Sequence, residues 1–422
     1  MGNFRKYLST RITLSIFTAV ALATGIAVYA GCAKTEDEKT TNTTYEGRLF
    51  VASTDGAHVA VAKVTIDPSA TPYITVNELK RIKIAEQAYA TAKTHNIHDV
   101  RLNADASKLY YSSIKEDAAG GATNGRTHVG YVDLTNIDSA DFFTTAPTIV
   151  DASVDTATSS VGKLAYCASG HTTDVHIPVG MATPAYFDAI PKSAITAGAT
   201  LTSGSNIKRT DVSSFYDNTD YTWAHGSSNA DGSKLYLAMG KTTAGNGGAS
   251  TAFNGTWDVR ILKMADVTAG TVGSTSVLDS GSLTGLTAAA SGVLPSMAFR
   301  SSWTPDDSKI FQAGVDRFVV FDATDLSKAP LVNTKEIGGT RVKVENHDAA
   351  STPDGKYAVL TIRSRATATG VEDGGVQLFD IANGKQLGEP VSVCNACHEL
   401  TGPVTTDRKL CGITVDLTAV TK

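Results

Sequence analysis

The residues with the clearest chemical potential lie near the C-terminal end of the sequence, in the segment Cys394-Asn395-Ala396-Cys397-His398. Two thiols separated by two residues can form thioether bonds to the two vinyl groups of one haem, and the adjacent histidine can bind the iron as proximal ligand. With 5 cysteines and 9 histidines in 422 residues, this pattern is expected by chance about 0.001 times. We therefore predict one covalent haem c, held by Cys394, Cys397 and His398.

Two other uses of the same cysteines stay open at this point. Cys394 and Cys397 could form a disulfide or a thiol pair, with His398 beside them by coincidence. A zinc site is less favoured, because no second C-x-x-C and no H-x₃-H lies nearby.

The first residues of the chain have the features of an export signal peptide. Arg5, Lys6 and Arg11 give a positive start, and an apolar run follows from Ile12 to Val28. We exclude residues 1–31 from the fold on this basis. Export also supplies the compartment in which bacteria attach haem c.

The signal ends in "YAGC", which resembles the lipobox of bacterial lipoproteins, although Tyr29 stands where Leu or Val is usual. The resemblance implies that Cys32 is lipidated, and Ala33 after it is similar to the pattern that sorts lipoproteins to the outer membrane. Cleavage after Ala30 and an uncleaved anchor are the alternatives. The polar residues 32–46 are expected to form a flexible tether between the anchor and a folded domain.

The charge balance limits the partners. The net charge of −5 becomes more negative when the basic signal is removed, and no basic cluster lies elsewhere in the sequence. We therefore predict no nucleic-acid partner. The expected partners are redox proteins, together with a membrane reached through the lipid anchor.

Internal repeats indicate the architecture. Four segments align with little adjustment: "HDVRLNADASKLYYSS" from His98, "HGSSNADGSKLYLAMG" from His225, "RSSWTPDDSKIFQAG" from Arg300 and "HDAASTPDGKYAVLTI" from His347. Each runs from a short strand through a turn of Asp, Gly, Pro and Ser into an alternating apolar strand.

A second element recurs, a strand that ends in aspartate. It is found at Asp67, Asp133, Asp188, Asp266, Asp322 and Asp380. A small antiparallel sheet recurring in this way predicts an all-β protein, a β-propeller, for residues 47–422. The "-PDGK-" turns and "VxxFD" strands resemble the YVTN-type propeller family and, more loosely, the haem d1 propellers of nitrite reductases.

The number of blades follows from the two ends of the propeller. The chain enters with "EGRLFVASTDGAHVAVAKVTID", which provides the second and third strands of a blade without a first. The last strand, Lys409 to Leu417, can supply the missing one, and the ring then has six blades. Seven blades follow only if residues 394–422 form a blade of their own. Residues 77–96 depart from the pattern and are expected to form a short helix or a long excursion.

The repeats also predict what surrounds the haem. The first strand of each propeller blade lines the central channel, and the alignment places His398 at the start of such a strand or in the loop before it. We therefore expect the haem at the channel mouth. His98, His347 and Met297 are candidates for the distal iron ligand, and Met181 is a weaker one.

The other histidines have two interpretations. Either His225, His171, His176 and the two candidate ligands are hydrogen-bonded blade-start residues, or at least one of them binds a metal. Cys167 and Cys411 form a disulfide or remain buried thiols.

Three functions remain from the sequence. The first is a monohaem c-type cytochrome on a β-propeller, an exported lipoprotein that transfers single electrons between periplasmic or outer-membrane partners. The second is a haem oxidoreductase acting on a small molecule in the channel, and the third is a haem-free binding or scaffold module. No nucleophile elbow, P-loop, dinucleotide fingerprint or HExxH motif is present.

Overall fold

The computed structural model of the chain describes residues 43–53, 58–84, 95–116, 127–145, 147–154, 166–180, 185–216, 221–242, 253–286, 297–334, 337, 344–364, 374–394 and 410–421. Within these ranges, Thr43–Val420 forms one compact unit. The predicted signal and Cys32 lie outside the described residues.

The unit is built from β-strands. Their bounds are β1 Thr43–Ser53, β2 His58–Ile66, β3 Ile74–Lys83, β4 His95–Leu102, β5 Lys108–Glu116, β6 Thr127–Asp133, β7 Ile149–Val154, β8 Tyr166–His171, β9 Val175–Gly180, β10 Tyr186–Pro191, β11 Ala199–Leu201, β12 Lys208–Asp211, β13 Tyr221–Ser228, β14 Lys234–Thr242, β15 Phe253–Lys263, β16 Val277–Leu283, β17 Ala298–Trp303, β18 Lys309–Gly314, β19 Arg317–Asp322, β20 Leu331–Asn333, β21 Val344–Ser351, β22 Tyr357–Ser364, β23 Gly375–Asp380, β24 Lys385–Ser392 and β25 Leu410–Thr421. Among the residues that the structure describes, the α-helix α1 Met264–Ala269 follows β15, and 3₁₀ turns lie at Lys192–Ala194, Val212–Ser214 and Ser274–Ser276. In the part of the chain that the structure describes, no helix has the length and apolar character needed to cross a membrane.

These strands form the six blades of a β-propeller. From the channel outward the sheets are β25-β1-β2-β3, β4-β5-β6-β7, β8-β9-β10-β12, β13-β14-β15-β16, β17-β18-β19-β20 and β21-β22-β23-β24. We number them blades 1 to 6, and β11 adds a parallel edge strand to β7 of blade 2. The first strands of neighbouring blades contact one another, as β13 does with β8 and β17. The predicted fold class is therefore confirmed.

The ring closes as the sequence predicted. β25, the last strand, is the first strand of blade 1, next to β1. The two strands lie so close that a Cβ atom at Gly47, whose φ is +150°, would overlap the backbone of Asp416. Because residues 410–421 complete blade 1, they do not form part of a seventh blade.

Two expected boundaries were wrong. The tether was expected to run to residue 46, but β1 begins at Thr43 and Tyr45 is fully buried. The stretch from residue 77 was expected to leave the blade as a short helix or a long excursion, but β3 continues to Lys83. In both places the tertiary sheet pairing overrides a polar local composition. The remainder of that stretch, residues 85–94, lies outside the described residues.

The same type of hydrogen bond recurs in four of the repeated turns. The turns between the first two strands of blades 2, 4, 5 and 6 carry an aspartate that accepts from the backbone N–H two residues later. The acceptors are Asp105, Asp231, Asp306 and Asp354, with N···O distances of 3.0, 2.8, 3.1 and 3.2 Å. The side chain thus satisfies a backbone donor that the tight reversal leaves without a strand partner. The next residue has positive φ in all four turns and is glycine in two of them.

The core is divided among the blade interfaces. Six hydrophobic clusters each join residues from two neighbouring blades. The cluster between blades 6 and 1 contains Leu49, Val359 and Ile413, and it closes the circle of packing. The rigid ring that results fixes the side chains that face the channel.

Candidate functional site in the central channel

Three side chains from three first strands converge in the channel. His98 lies in β4, His347 in β21 and Cys411 in β25, and all three are buried. Their nitrogen and sulfur ligand atoms all lie within 4.8 Å of one another. We call these three residues the channel triad. Two imidazoles and a thiol at this separation are a ligand set for a single metal ion.

The aromatic rings around the triad form a continuous series of ring contacts. The centroids of His98 and His347 lie 5.6 Å apart. Phe299 covers the other side of His347, with ring centroids 4.2 Å apart and planes inclined by 26°. His225 meets Phe299 edge to face at 6.0 Å. These contacts limit the rotation of both triad imidazoles.

Hydrogen bonds fix how each imidazole of the triad is protonated. Nδ1 of His98 lies 3.3 Å from the carbonyl oxygen of Tyr166. A carbonyl can only accept, so this nitrogen carries the proton and Nε2 presents a lone pair. Such an Nδ1–H···O=C bond commonly orients metal-binding histidines. His347 differs, because the guanidinium of Arg300 donates to its Nδ1 over 2.5 Å.

Burial keeps both triad histidines neutral. Desolvation lowers the pKa of His98 and of His347 well below the usual range, and the nearby cation of Arg300 lowers both further. The same causes lower the pKa of His225. Neutral imidazole is the form that binds metal ions, so no proton has to leave a charged ring first.

A charged network lies directly beside the triad. Arg101 contacts Asp99 and Asp348, each at 3.1 Å, and Arg300 contacts Asp99 at 3.2 Å. The guanidinium of Arg101 also donates to the carbonyl oxygen of Ile413 in β25, at 2.7 Å. Two buried cations and two buried anions therefore balance one another, and the network links blades 1, 2, 5 and 6.

A cavity of about 450 Å³ opens at the other end of these strands. It is lined by residues from the C-terminal halves of the first strands and the turns that follow, including Arg101, Ser169, Ser227, Ser301 and Thr414. Several hydroxyl groups lie on this wall beside apolar side chains such as Trp303 and Ile413, so the cavity offers polar and apolar surface in similar amounts. The triad residues His98 and His347 belong to the opposite, N-terminal halves of their strands.

Cys394 is the one described residue of the predicted haem motif. It follows β24 and packs in the cluster between blades 6 and 1, with 2 % of its surface exposed. Its Sγ lies 3.4 Å from Nε2 of His58, and it is half of a disulfide. Cys397 and His398 lie outside the described residues. The connection that carries them leads from Cys394 to Leu410, the residue directly before Cys411.

The remaining predicted site residues are distributed as follows. Met297 is fully buried with Phe299, Ala313 and Val315, whereas Met181 lies outside the described residues. Cys411 is a buried thiol and not half of a disulfide, so the Cys167–Cys411 bridge is not formed. The thiol of Cys411 packs in the hydrophobic cluster between blades 1 and 2, within 4.8 Å of ligand atoms of His98 and His347. Cys167 lies in β8, but its side chain is not among those described.

The sequence reasoning missed Cys411 as a channel residue. The sequence could have indicated this role, because Cys411 lies in the N-terminal half of β25, as His98 does in β4 and His347 in β21. The buried ion pairs of Arg101 and Arg300 were also missed, since isolated arginines in strands have no distinctive spacing.

Comparison with known proteins adds little to these observations. No family profile matches the chain, and no curated protein is similar to it. Among solved structures, a periplasmic gluconolactonase of Pseudomonas aeruginosa has a TM-score of 0.43 and 13% identity over 83% of each chain. A Bacteroides fragilis protein provisionally described as a 6-phosphogluconolactonase has a TM-score of 0.43 and 12% identity, covering 90% of this chain and 99% of its own. A functionally unknown protein of Desulfotomaculum acetoxidans has a TM-score of 0.38 and 11% identity, covering 87% of this chain and 98% of its own. Likenesses this low carry no argument about activity.

Proposed function

We propose that the protein is an exported monohaem c-type cytochrome on a β-propeller scaffold. Its role would be to pass single electrons between redox partners in the periplasm or at the outer membrane. The observation that carries this proposal is the Cys394-Asn395-Ala396-Cys397-His398 sequence. It stands in the connection that leads from blade 6 into the closing strand β25.

The donor set fits haem c by its chemistry. Cys394 and Cys397 supply the two sulfur atoms and His398 the proximal nitrogen, at the spacing that one porphyrin requires. Haem supplies a one-electron iron couple when bound. His58, 3.4 Å from the sulfur of Cys394, can hold the thiol proton once the disulfide is reduced, and this would keep the sulfur reactive for attachment.

Anchoring through Cys32 completes the proposal. A lipid on Cys32 would hold the propeller at the outer membrane, where it could meet partner proteins. Partition of the mature protein into a detergent phase, lost on Cys32→Ala, is the expected behaviour. A soluble mature protein that begins before Cys32 would contradict the anchor.

The test of the cytochrome is expression of the full chain in a host with a haem c maturation system. The purified protein should retain haem on a denaturing gel and gain the mass of one haem. The double variant Cys394→Ala/Cys397→Ala should lose both signals. A matched control is Cys411→Ala, which removes a cysteine outside the motif and should keep the haem. A haem-free mass for the unmutated chain from this host would refute the proposal.

A haem-free binding module is the second candidate, because Cys394 is half of a disulfide. In this alternative the motif would staple the end of blade 6 and have no redox cofactor. Alkylation under denaturing conditions separates the two candidates. Cys394 and Cys397 would be modified only after reduction if they form a disulfide, and never if they form thioethers.

A further inference from the structure

We infer that the channel triad binds one monovalent copper ion. This inference goes beyond the haem proposal, because the triad shares no residue with the Cys394–His398 motif. It rests on the convergence of His98, His347 and Cys411, whose ligand atoms lie within 4.8 Å of one another in a buried position.

The distances between the ligand atoms need only a small adjustment to close on an ion, and His347 must in addition give up its hydrogen bond with Arg300 or move its ring proton. Metal–nitrogen and metal–sulfur bonds of about 2.0 to 2.3 Å place the ligand atoms of such a site about 3.3 to 3.9 Å apart. The side chains must therefore draw together by an ångström or so. The rings are already held in place on opposite sides, His98 by its bond to the Tyr166 carbonyl and His347 by its stack on Phe299.

The ligand types select the metal. A thiolate with two imidazoles excludes calcium and magnesium, which take oxygen ligands, and favours copper or zinc. Among the described residues the set holds three ligands, which suits three-coordinate copper(I). Structural zinc sites are almost always four-coordinate.

Charge decides between the two metals. The network of Asp99, Arg101, Arg300 and Asp348 is already balanced, and Arg300 reaches within 2.5 Å of His347. A monovalent ion with the Cys411 thiolate adds no net charge to this dry interior. A divalent ion would leave one uncompensated positive charge beside Arg300, which is costly in a buried site. Binding releases the thiol proton of Cys411 to solvent, so the reaction is balanced without an oxidant or a reductant.

Arg300 should oppose the binding of copper(I), so its removal should increase the affinity for the ion. Its guanidinium donates to Nδ1 of His347, so this bond occupies the lone pair at Nδ1, and the single ring proton of the neutral imidazole is on Nε2. Ligation through each nitrogen is thereby disfavoured. Arg300→Leu removes the donor and the positive charge, and it should raise the affinity for copper(I) about tenfold or more.

The experiment is anaerobic titration of the full-length protein, purified from the haem c maturation host, with copper(I) against a competing chromogenic chelator. We expect one copper per chain for the unmutated protein and for the double variant Cys394→Ala/Cys397→Ala. Cys411→Ala should lose at least about 100-fold in affinity, because even changes to groups behind a ligand cost 10- to 100-fold. The matched control is His176→Gln, a buried histidine of blade 3 that is not in the triad, and it should bind as the unmutated protein does.

The outcomes separate clearly. Copper retained by Cys411→Ala, or lost from the Cys394/Cys397 variant, would overturn the assignment of the site. Zinc bound at one equivalent with no copper(I) binding would overturn the choice of metal. X-ray absorption of the copper-loaded unmutated protein keeps the test valid if a variant fails to fold. One sulfur and two nitrogen neighbours support the site, and any other set of neighbours refutes it. Haem content measured in the same samples tests the cytochrome separately.

Discussion

Individual residues at the start of the first strands decide the chemistry of the channel. His98 and His347 were found from the sequence because their repeats align around a distinctive residue. Their tautomers could not be predicted, since these depend on the Tyr166 carbonyl and the Arg300 guanidinium, which come from other blades. The positions of these histidines in the repeats can therefore be predicted from a single sequence. Their protonation cannot, because it depends on contacts between blades that form only in the closed ring.

The distal haem ligand is a prediction at this scale. If the channel triad uses His98 and His347, Met297 is the stronger of the two methionine candidates that remain, and a thioether ligand gives a higher reduction potential than imidazole. We expect a six-coordinate, low-spin haem that binds carbon monoxide poorly as the ferrous protein. Met297→Ala should open the sixth position and allow stoichiometric binding, which optical titration would measure.

The control for this prediction is His98→Ala, which should leave the haem spectrum unchanged. Carbon monoxide binding gained in His98→Ala and not in Met297→Ala would identify the histidine as the ligand instead. Rapid binding by the unmutated protein would indicate an open iron site and favour an oxidoreductase over an electron carrier.

At the scale of elements, the strand β25 has two roles: it closes the propeller ring, and it provides one residue of the channel triad. It completes blade 1 and carries Cys411. Through the backbone of Ile413 it accepts a hydrogen bond from Arg101 and donates one to Asp348. The sequence predicted this strand from a missing partner at the N-terminus, so topology could be derived by counting strands. The boundary of the tether and the extent of β3 could not, because pairing with β25 and β2 stabilises polar segments that have weak intrinsic strand preference.

A small residue after Cys411 is required for this closure. A Cβ atom at Gly412 would lie 2.8 Å from the Cα atom of Asp99 and 3.0 Å from the backbone nitrogen of Val100. Gly412→Ala should therefore force β25 away from β4 and lower the free energy of unfolding by about 1 to 3 kcal/mol. Urea denaturation would measure the change. Gly273→Ala is the matched control, because a Cβ there meets nothing within 4 Å, and equal losses in both variants would contradict the argument.

At the scale of the whole molecule, the propeller buries several neutral histidines. Desolvation lowers the pKa of His98, His176, His225 and His347 well below the usual range, and that of His171 to about 3. The unfolded chain binds protons at these groups near pH 6.5, whereas the folded protein does not. Their contribution to stability is therefore complete above about pH 6.5 and is lost as the pH falls below it.

His176 isolates this effect outside the candidate metal site. It is fully buried and stacks on Tyr110 at 5.7 Å, and after desolvation the cation of Lys192 is the next cause that lowers its pKa. From pH 7 to pH 5, one such histidine costs the folded state about 2 kcal/mol. His176→Gln should remove this share, so its free energy of unfolding should fall less steeply over that range than that of the unmutated protein. The slope against pH in urea denaturation is the measurement, since the substitution also changes packing at every pH. If the free energies of unfolding of the two proteins change in parallel with pH, His176 binds protons equally in the folded and the unfolded state, and the argument is wrong.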